Sequence, residues 1–428
     1  MKLAVIGTGY VGVVTSVVFA DFSNQVWGLD INKERIESLK KGQPPIYEPG
    51  LEKFLTKGLK SGRLHFTTNY SQALDKAQII FICVGTPPKS NGDYDLSYVF
   101  SAAEAIGKTL NNYAVVVIKS TVPPGTGDKV KGIIQKFTKV PFEVASCPEF
   151  LREGRALEDS FHPSRIVIGV DNPKAKKLLL ELHRPIKAPK VVCDVISAQL
   201  VKYAANAFLA TKISFINTIA IICDRIGADI KKVNQGLGLD PRIGKSFLEA
   251  GLGYGGSCFP KDVSALISFV RRLNYDFKFL QEIEKINAKQ VEYVIKKAQA
   301  ALGDFKGKKA AVLGLAFKPD TDDLREARSL ILIDWLLKKK AKIQAYDPIA
   351  MKMAKKIYGK KIKFKKDAYQ AVKGSEVVFI VTEWDEFKKL DLRKVKRLMK
   401  GKLLVDGRNI FEPEQARKIG FIYQGVGR

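Results

Sequence analysis

Residues 2–12, KLAVIGTGYVG, form an apolar strand pattern that continues into a glycine-rich turn, and an apolar helix pattern follows from Val13 to Ala20. In such a G-x-G-x-x-G turn the glycines have separate tasks. Gly7 makes the tight turn, Gly9 lets a pyrophosphate approach the backbone, and Gly12 lets the helix pack against the strand. The free amides at the helix N-terminus bind phosphate. This stretch therefore predicts a parallel α/β sheet that holds a dinucleotide at its edge.

The second predicted strand, residues 25–29, indicates which dinucleotide is bound. It ends at Asp30, and an acid at this place hydrogen-bonds the adenosine ribose hydroxyls and repels a 2′-phosphate. The sequence therefore predicts NAD rather than NADP. Lys33 and Arg35 argue for NADP instead, because basic residues just after this strand can hold a 2′-phosphate.

Further strands are predicted at residues 77–84, 113–119 and 142–146. The carboxyl ends of parallel strands share one edge, where ligands bind, so Thr86 and Thr121 in the following loops are expected to flank the nicotinamide. The strand at residues 142–146 leads into CPEFLREG, residues 147–154. This segment is expected to place Glu149 and Glu153 one helical turn apart at that edge. The alternative is a solvated helix start whose acids complement the helix dipole.

Length and composition indicate a globular protein of two or three domains, with 428 residues of which 46% are hydrophobic. The chain opens directly into a strand, which predicts no signal peptide and a cytoplasmic location. Five scattered cysteines and three histidines favour neither a disulfide framework nor a metal site.

A formal net charge of +28 raises the possibility of nucleic-acid binding. The lysines are spread over predicted solvent faces rather than gathered in one arm, so we expect no nucleic-acid partner. A polyanionic small substrate or a heat-adapted host fits the charge equally well.

Residues 196–225 form a long, largely apolar helix pattern interrupted by polar residues, which make a membrane span improbable. Lys202 and Asn206 are four residues apart and share one face, so they can meet one ligand from one side. The alternative is a polar pair on a helix that crosses between domains. Because the helix is apolar almost all round, it needs partners on several sides, which predicts at least a homodimer.

Residues 251–262, GLGYGGSCFPKD, place Cys258 just before a predicted helix whose first position is Pro260. Free amides and the dipole at a helix start favour a thiolate and lower a thiol pKa. Asp262, one turn further on, is expected to orient a water or a proton donor. The alternative is a glycine-rich surface turn with a small buried cysteine.

The chain repeats its opening pattern near its C-terminal end. Residues 309–316 repeat 2–9, residues 343–347 repeat the strand that ends at Asp30, residues 375–382 repeat 78–85, and 402–406 supply another strand. Ala316 and Lys318 lie where glycines would be needed, so a second dinucleotide is not expected. The basic loop 317–326 is expected to hold a nucleotide diphosphate or to reach the first domain. The predicted fold is α/β, with two doubly wound Rossmann-like domains joined by a long central helix.

Several motifs together resemble the nucleotide-sugar dehydrogenases over essentially the whole chain: residues 7–12, 120–126, 148–154, Lys202 with Asn206, 255–262 and 317–323. The resemblance implies three domains. These are an NAD-binding domain at 1–195, a central helical and dimerisation domain with the cysteine loop at 196–300, and a nucleotide-sugar-binding domain at 301–428. It also implies oxidation of the hexose primary alcohol to a carboxylate with two NAD molecules, without release of the aldehyde.

The resemblance makes Cys258 the nucleophile that forms a thiohemiacetal and then a thioester, which water cleaves. Lys202 is expected to stabilise the oxyanions, and Glu149 is expected to be the base for hydrolysis. Asn206 and Asp262 are expected to position the reacting oxygen and a water. Whether Lys202, or a water held by Asp262 and Thr121, takes the first proton stays open.

The resemblance also implies two sets of ligand contacts. The residues expected to contact NAD are Gly7, Gly9, Val11, Gly12, Asp30, Arg35, Thr86, Thr121, Glu153, Lys261 and Arg325. Those expected to contact the nucleotide sugar are Glu149, Phe150, Leu151, Arg152, Glu153, Lys202, Asn206, Phe247, Leu248, Glu249, Ala250, Gly251, Gly255 and Lys318, with Arg242 directed to the substrate of a partner subunit.

The substrate is expected to be UDP-glucose, with UDP-glucuronate as the product. Relatives acting on N-acetylhexosamines tend to carry HCIPVD where this chain has SCFPKD at residues 257–262, which resembles the glucose or mannose type. GDP-mannose is the alternative substrate. A different class, the 3-hydroxyacid dehydrogenases, shares the sheet and long helix and uses a lysine, but needs no cysteine and makes one NADH.

Overall fold

The computed structural model describes residues 1–428 and divides into two compact units, residues 1–205 and 206–428. Each unit is built around one sheet. In the N-terminal unit the first strand alternates between two apolar clusters, with Leu3 and Val5 in one and Ala4 and Ile6 in the other. Both faces of the sheet are therefore covered, as expected for a parallel sheet.

The N-terminal sheet has eight strands in the order β3-β2-β1-β4-β5-β6-β7-β8. The first six of that order are parallel, which is the doubly wound arrangement that the glycine motif predicts. β7 joins antiparallel to β6 through the pair Ser146 and Gly169, and β8 runs parallel to β7. The strands are β1 Lys2–Ile6, β2 Gln25–Leu29, β3 Leu64–Thr67, β4 Ile79–Ile82, β5 Ala114–Ile118, β6 Phe142–Ser146, β7 Ile166–Gly169 and β8 Lys190–Cys193.

Eight helices belong wholly to this unit, and α1 begins three residues before the predicted Val13 because Gly9 is its N-cap. Strands β4 and β5 are shorter than predicted. The helices are α1 Tyr10–Asp21, α2 Lys33–Lys40, α3 Leu51–Lys60, α4 Tyr70–Leu74, α5 Ser97–Thr109, α6 Thr126–Gln135, α7 Ala156–Phe161 and α8 Pro173–Leu182.

Helix α9, Val195–Ile226, is 32 residues long and confirms the predicted central helix. By length and composition alone it could cross a membrane, with 44% of its most apolar window buried. Five polar side chains are nevertheless buried along it, and each has a hydrogen-bond partner in the protein: Gln199, Lys202, Asn206, Ser214 and Asn217. Such pairing is that of a helix packed in a protein core.

The C-terminal unit contains a six-stranded parallel sheet in the order β11-β10-β9-β12-β13-β14, which confirms the second doubly wound sheet. Its strands are β9 Lys309–Leu313, β10 Lys342–Tyr346, β11 Lys363–Phe364, β12 Val377–Ile380, β13 Leu403–Asp406 and β14 Ile422–Gln424. Its remaining helices are α10 Ile230–Leu239, α11 Phe259–Arg271, α12 Lys278–Leu302, α13 Arg328–Lys338, α14 Met351–Tyr358, α15 Ala368–Val372, α16 Asp385–Lys388, α17 Leu392–Leu398 and α18 Pro413–Ile419.

Asp347 follows β10 at the place where Asp30 follows β2, but its carboxylate is used by the protein itself. It is fully buried. Its two oxygens accept hydrogen bonds from five donors, namely the amides of Leu315, Ala316, Ile349 and Ala350 and the indole of Trp384. Asp347 therefore fixes the turn after β9.

We predict that Asp347→Ala lowers the free energy of unfolding by about 3 kcal/mol or more, because buried donors lose their acceptor. Asp385→Ala is the control, since this exposed aspartate on α16 pairs only with the exposed Lys388. Urea denaturation of both variants checks the prediction. Equal stability of the two variants would contradict it.

Candidate functional site

The turn after β1 fits a pyrophosphate. A Cβ atom added to Gly7, which has φ +92°, would lie 2.7 Å from the Cys83 carbonyl oxygen, and one on Gly12 would lie 1.8 Å from the Gly7 carbonyl oxygen. A Cβ atom on Gly9 would meet nothing within 4 Å. Gly9 caps α1 without a side-chain hydrogen bond, so the helix start keeps amides for an anion. The three glycines thus have the separate roles that the sequence predicts.

We predict that Gly9→Ala and Gly12→Ala fail in different ways. Gly9→Ala fits the apo protein, so its melting temperature stays near that of wild type while NAD binding weakens about tenfold or more, since the methyl group occupies the phosphate approach. Gly12→Ala collides with backbone and lowers the melting temperature.

Calorimetric titration with NAD and thermal unfolding check the pair. Unchanged NAD binding by Gly9→Ala would contradict a phosphate site at this turn.

Asp30 is buried at the end of β2. Its carboxylate accepts hydrogen bonds from the Thr8 amide and hydroxyl at 2.8 and 2.9 Å and from the Asn32 amide at 3.0 Å. Arg35 pairs with it at 3.0 Å. Burial by itself raises the pKa of Asp30, but these hydrogen bonds outweigh burial and hold its pKa below the ordinary value. The side chain is therefore a carboxylate at neutral pH, as a ribose acceptor must be.

The loops after β4 and β5 meet, because the Thr86 hydroxyl donates to the Thr121 carbonyl oxygen at 3.1 Å. Gln199 on α9 accepts from the Gly125 amide at 3.0 Å and holds the second loop to the helix. Gln199 was not among the predicted site residues, since nothing in the local helix pattern connects it with a loop 74 residues away.

Glu149 and Lys202 form a buried ion pair at 3.0 Å. The predicted helical turn that carries Glu149 and Glu153 is wrong, because residues 147–155 form an irregular loop and α7 begins only at Ala156. The Glu149 carboxylate also accepts from the Leu151 amide. These bonds and Gly154, at φ +78°, hold the loop away from helical geometry.

The far end of this loop is held by a network that sequence analysis missed. The Gly154 amide donates to the Tyr10 hydroxyl at 2.8 Å and to Glu48 at 2.7 Å. The Tyr10 hydroxyl donates to Glu48, and burial together with this carboxylate raises the pKa of Tyr10. Arg152 forms a two-bond ion pair with Asp159. The network links the start of α1 to the loop that carries Glu149.

In the C-terminal unit, Cys258 is the N-cap residue of α11, as predicted. Phe259 is the first residue of the helix and Pro260 the second, so Pro260 lies one position later than expected. The Asp262 amide donates to the Cys258 carbonyl oxygen at 2.8 Å, which closes the first helical turn. The Ser257 hydroxyl lies 3.5 Å from the Cys258 sulfur.

Asp262 lies in the first turn of α11 and is buried, with 1% of its surface exposed. Asn206 of α9 donates to one of its oxygens at 2.5 Å, and Lys261 pairs with the other at 2.6 Å. Asn206 and Asp262, expected to act together, are therefore in contact. Lys202 lies one turn before Asn206 on α9.

The segment 247–256 is tightly enclosed. Phe247 has φ +64°, a left-handed conformation rare for an aromatic residue. A Cβ atom on Gly255 would lie 2.1 Å from the Glu326 carbonyl oxygen. A Cβ atom on Gly251 would lie 3.3 Å from the guanidinium of Arg408, which donates to the Val381 carbonyl oxygen. Arg408 is a further candidate that sequence analysis missed.

Three basic residues assigned to ligands have acidic or aromatic neighbours within their own loops. Arg242, with 88% of its side chain exposed, pairs with Asp240. Arg325 makes a two-bond pair with Asp323. The Lys318 ammonium lies 5.8 Å from the Phe317 ring. Their ligand contacts stay predictions.

Comparison with known proteins matches three successive segments of the chain to the domains of one family. Residues 1–187 match the NAD binding domain of the UDP-glucose/GDP-mannose dehydrogenase family, residues 196–289 its central domain and residues 311–413 its UDP binding domain.

Individual relatives cover nearly the full length. UDP-glucose 6-dehydrogenase TuaD of Bacillus subtilis (strain 168) is 47% identical over 429 residues, covering 100% of this chain and 93% of the relative. UDP-glucose 6-dehydrogenase of Rhizobium meliloti (strain 1021) is 44% identical, with 100% of both chains covered. The structure of a UDP-glucose dehydrogenase from the hyperthermophilic archaeon Pyrobaculum islandicum has a TM-score of 0.94 at 42% identity, covering 99% of this chain and 97% of that one. The chain therefore belongs to the UDP-glucose/GDP-mannose dehydrogenase family, whose first domain binds NAD.

Proposed function

We propose that this protein oxidises UDP-glucose to UDP-glucuronate with two NAD molecules, through a covalent intermediate on Cys258. The observation that carries the proposal is the position of Cys258 at the start of α11, one turn from the buried pair of Asp262 and Asn206. UDP-glucose as the substrate is supported by full-length relatives at 42–47% identity that are UDP-glucose 6-dehydrogenases.

The chemistry assigned to Cys258 is nucleophilic. Gly7, Gly9, Gly12 and Asp30 would hold NAD, which would supply the hydride acceptor for both oxidations. The Cys258 thiolate adds to the aldehyde carbon and forms the oxyanion of a thiohemiacetal, which loses a hydride to become a thioester. Water then cleaves the thioester to the carboxylate and frees the thiol.

The ion pair of Lys202 and Glu149 suits two successive tasks. The Lys202 ammonium stabilises the oxyanion that forms on the sugar carbon, an effect worth about 10²–10³ in rate for one donor. Glu149 accepts a proton from the hydrolytic water. Both side chains are buried, so neither charge is screened by bulk solvent.

A panel of nucleotide sugars tests the substrate. We expect UDP-glucose to reduce NAD, with GDP-mannose and UDP-N-acetylhexosamines slower by at least about tenfold in kcat/KM. NADH absorbance measures the rates. A preference for GDP-mannose would establish the alternative substrate, and a 3-hydroxyacid as the only substrate would place the chain in the other class.

We predict that Cys258→Ala loses conversion of UDP-glucose to acid by several orders of magnitude, because no other group holds the aldehyde covalently. Cys193→Ala is the matched control, since this partly exposed thiol lies in the N-terminal unit. With Cys258→Ser, an ester intermediate should hydrolyse slowly and be visible by intact mass. Near wild-type acid formation by Cys258→Ala would make the cysteine structural.

We also propose a homodimer or higher homo-oligomer built on α9, working in the cytoplasm. Six large apolar side chains of α9 are exposed: Ile196, Leu200, Phe208, Phe215, Ile222 and Ile226. Their spacing places them on one face of the helix. A contiguous apolar face of this kind indicates a protein interface. The division into three domains at 1–195, 196–300 and 301–428 stays a prediction.

We predict that the wild-type protein is at least dimeric at micromolar concentration and that the double variant Phe208→Glu with Phe215→Glu is monomeric, because two charges per subunit would have to be desolvated. Light scattering measures the mass. Phe279→Glu, at an exposed aromatic on α12, is the control and should leave the assembly intact. A monomeric wild type would refute the interface.

A further inference from the structure

The loop before Cys258 has no helix or strand hydrogen bonds of its own, yet buried side chains hold its backbone. The Gly251 amide donates to Asn217 of α9 and its carbonyl oxygen accepts from Gln290 of α12, both at 2.8 Å. Asn217 and Gln290 are each 1% exposed. These amide side chains therefore replace the strand partner that an extended segment would otherwise need.

Tyr254 is held in the same way at the other end of the loop. Its amide donates to the Asn287 Oδ1 atom at 2.8 Å, and its carbonyl oxygen accepts from the Asn287 Nδ2 atom at 3.1 Å and from Arg328 at 2.7 Å. Asn287 and Arg328 are buried, and burial lowers the pKa of Arg328. One asparagine thus satisfies both backbone groups of Tyr254.

The glycine between these two anchors fits Asn287 closely. Gly253 has φ +93°, and a Cβ atom at this position would lie 2.5 Å from the Asn287 Oδ1 atom. The close approach of the loop to α12 therefore depends on Asn287 and Gly253 together.

Tyr254 in turn contacts the start of the helix that Cys258 caps. Its ring packs edge-on against Phe259, with the ring centroids 5.8 Å apart, and Phe247 packs on the same ring at 6.0 Å. Phe259 is the residue directly after Cys258. A continuous set of contacts therefore runs from Asn287 through Tyr254 to Phe259, the residue next to Cys258.

We propose that Asn287 is a positioning residue for Cys258, and that Gln290, one turn away on the same helix, positions the nucleotide-sugar segment at Gly251 instead. This assignment rests on the proposed function of Cys258. Asn287 and Gln290 lie on the same helix, are both buried and bind the same loop. They therefore form a matched pair of sites at which substitution is expected to have different effects.

The test compares Asn287→Leu with Gln290→Leu in the full-length protein, each replacing an amide by an apolar side chain of similar size. Asn287→Leu should lower kcat about 10- to 100-fold with a nearly unchanged KM for UDP-glucose, since a small displacement of a nucleophile is costly. Gln290→Leu should raise that KM with a smaller effect on kcat. Tyr293→Phe, which removes a hydrogen bond from α12 to Asp224, is the stability control and should change neither constant.

A second readout needs no substrate. Iodoacetamide labelling at neutral pH, followed by peptide mass analysis, should show Cys258 reacting several-fold more slowly in Asn287→Leu than in wild type, because a thiol displaced from the helix start loses thiolate character. Cys193 in the same sample is the internal control. If Asn287→Leu does not fold, the isosteric Asn287→Asp, which keeps the acceptor for the Tyr254 amide but loses the donor to its carbonyl, should show the same changes to a smaller degree.

The outcomes separate the two proposals. Wild-type kcat and wild-type Cys258 labelling in a folded Asn287→Leu overturn the positioning role, as do identical kinetic changes in Asn287→Leu and Gln290→Leu. If wild type oxidises no nucleotide sugar while labelling of Cys258 still slows in Asn287→Leu, the proposed function fails and the positioning role stands.

Discussion

Burial of polar side chains along α9 constrains several of the candidate functional residues. A buried polar side chain that makes no hydrogen bond is costly, and four buried polar side chains of this helix each bond a group of a neighbouring segment. In the N-terminal unit Gln199 holds the Gly125 loop and Lys202 pairs with Glu149. In the C-terminal unit Asn206 binds Asp262 and Asn217 binds Gly251. Bonds that satisfy buried side chains of the helix are therefore also bonds that fix the candidate functional loops.

The acid that follows the second strand has a different environment in the two sheets. Asp30 and Asp347 both follow the second strand of a doubly wound sheet. Asp347 is fully buried and accepts from four backbone amides and an indole. Asp30 has a side chain 8% exposed and a partly exposed arginine beside it. The turn after β1 leaves space beside Gly9, whereas the turn after β9 has Ala316 at the corresponding position. Only the first sheet therefore keeps the features of a dinucleotide site.

The sequence predicted features that depend on local geometry. The glycines at 7, 9 and 12, Asp30 at a strand end and Cys258 before a helix have roles set by neighbouring residues, and the structure has each in the expected place. It did not predict Glu48, Gln199 or Asn287, because these side chains act on backbone groups far away in sequence. The helical turn predicted for Glu149 and Glu153 was wrong for a similar reason, since Lys202, 53 residues on, pairs with Glu149 and helps to hold the loop open.

The covalent role of Cys258 is the central claim, and the stoichiometry of wild-type turnover tests it most directly. With limiting UDP-glucose, excess NAD and a hydrazide reagent that captures aldehydes, we expect two NADH and one UDP-glucuronate per sugar and no captured aldehyde, because the aldehyde carbon stays bound to sulfur until the second hydride has left. One NADH per sugar, or a hydrazone in the product mixture, would contradict it.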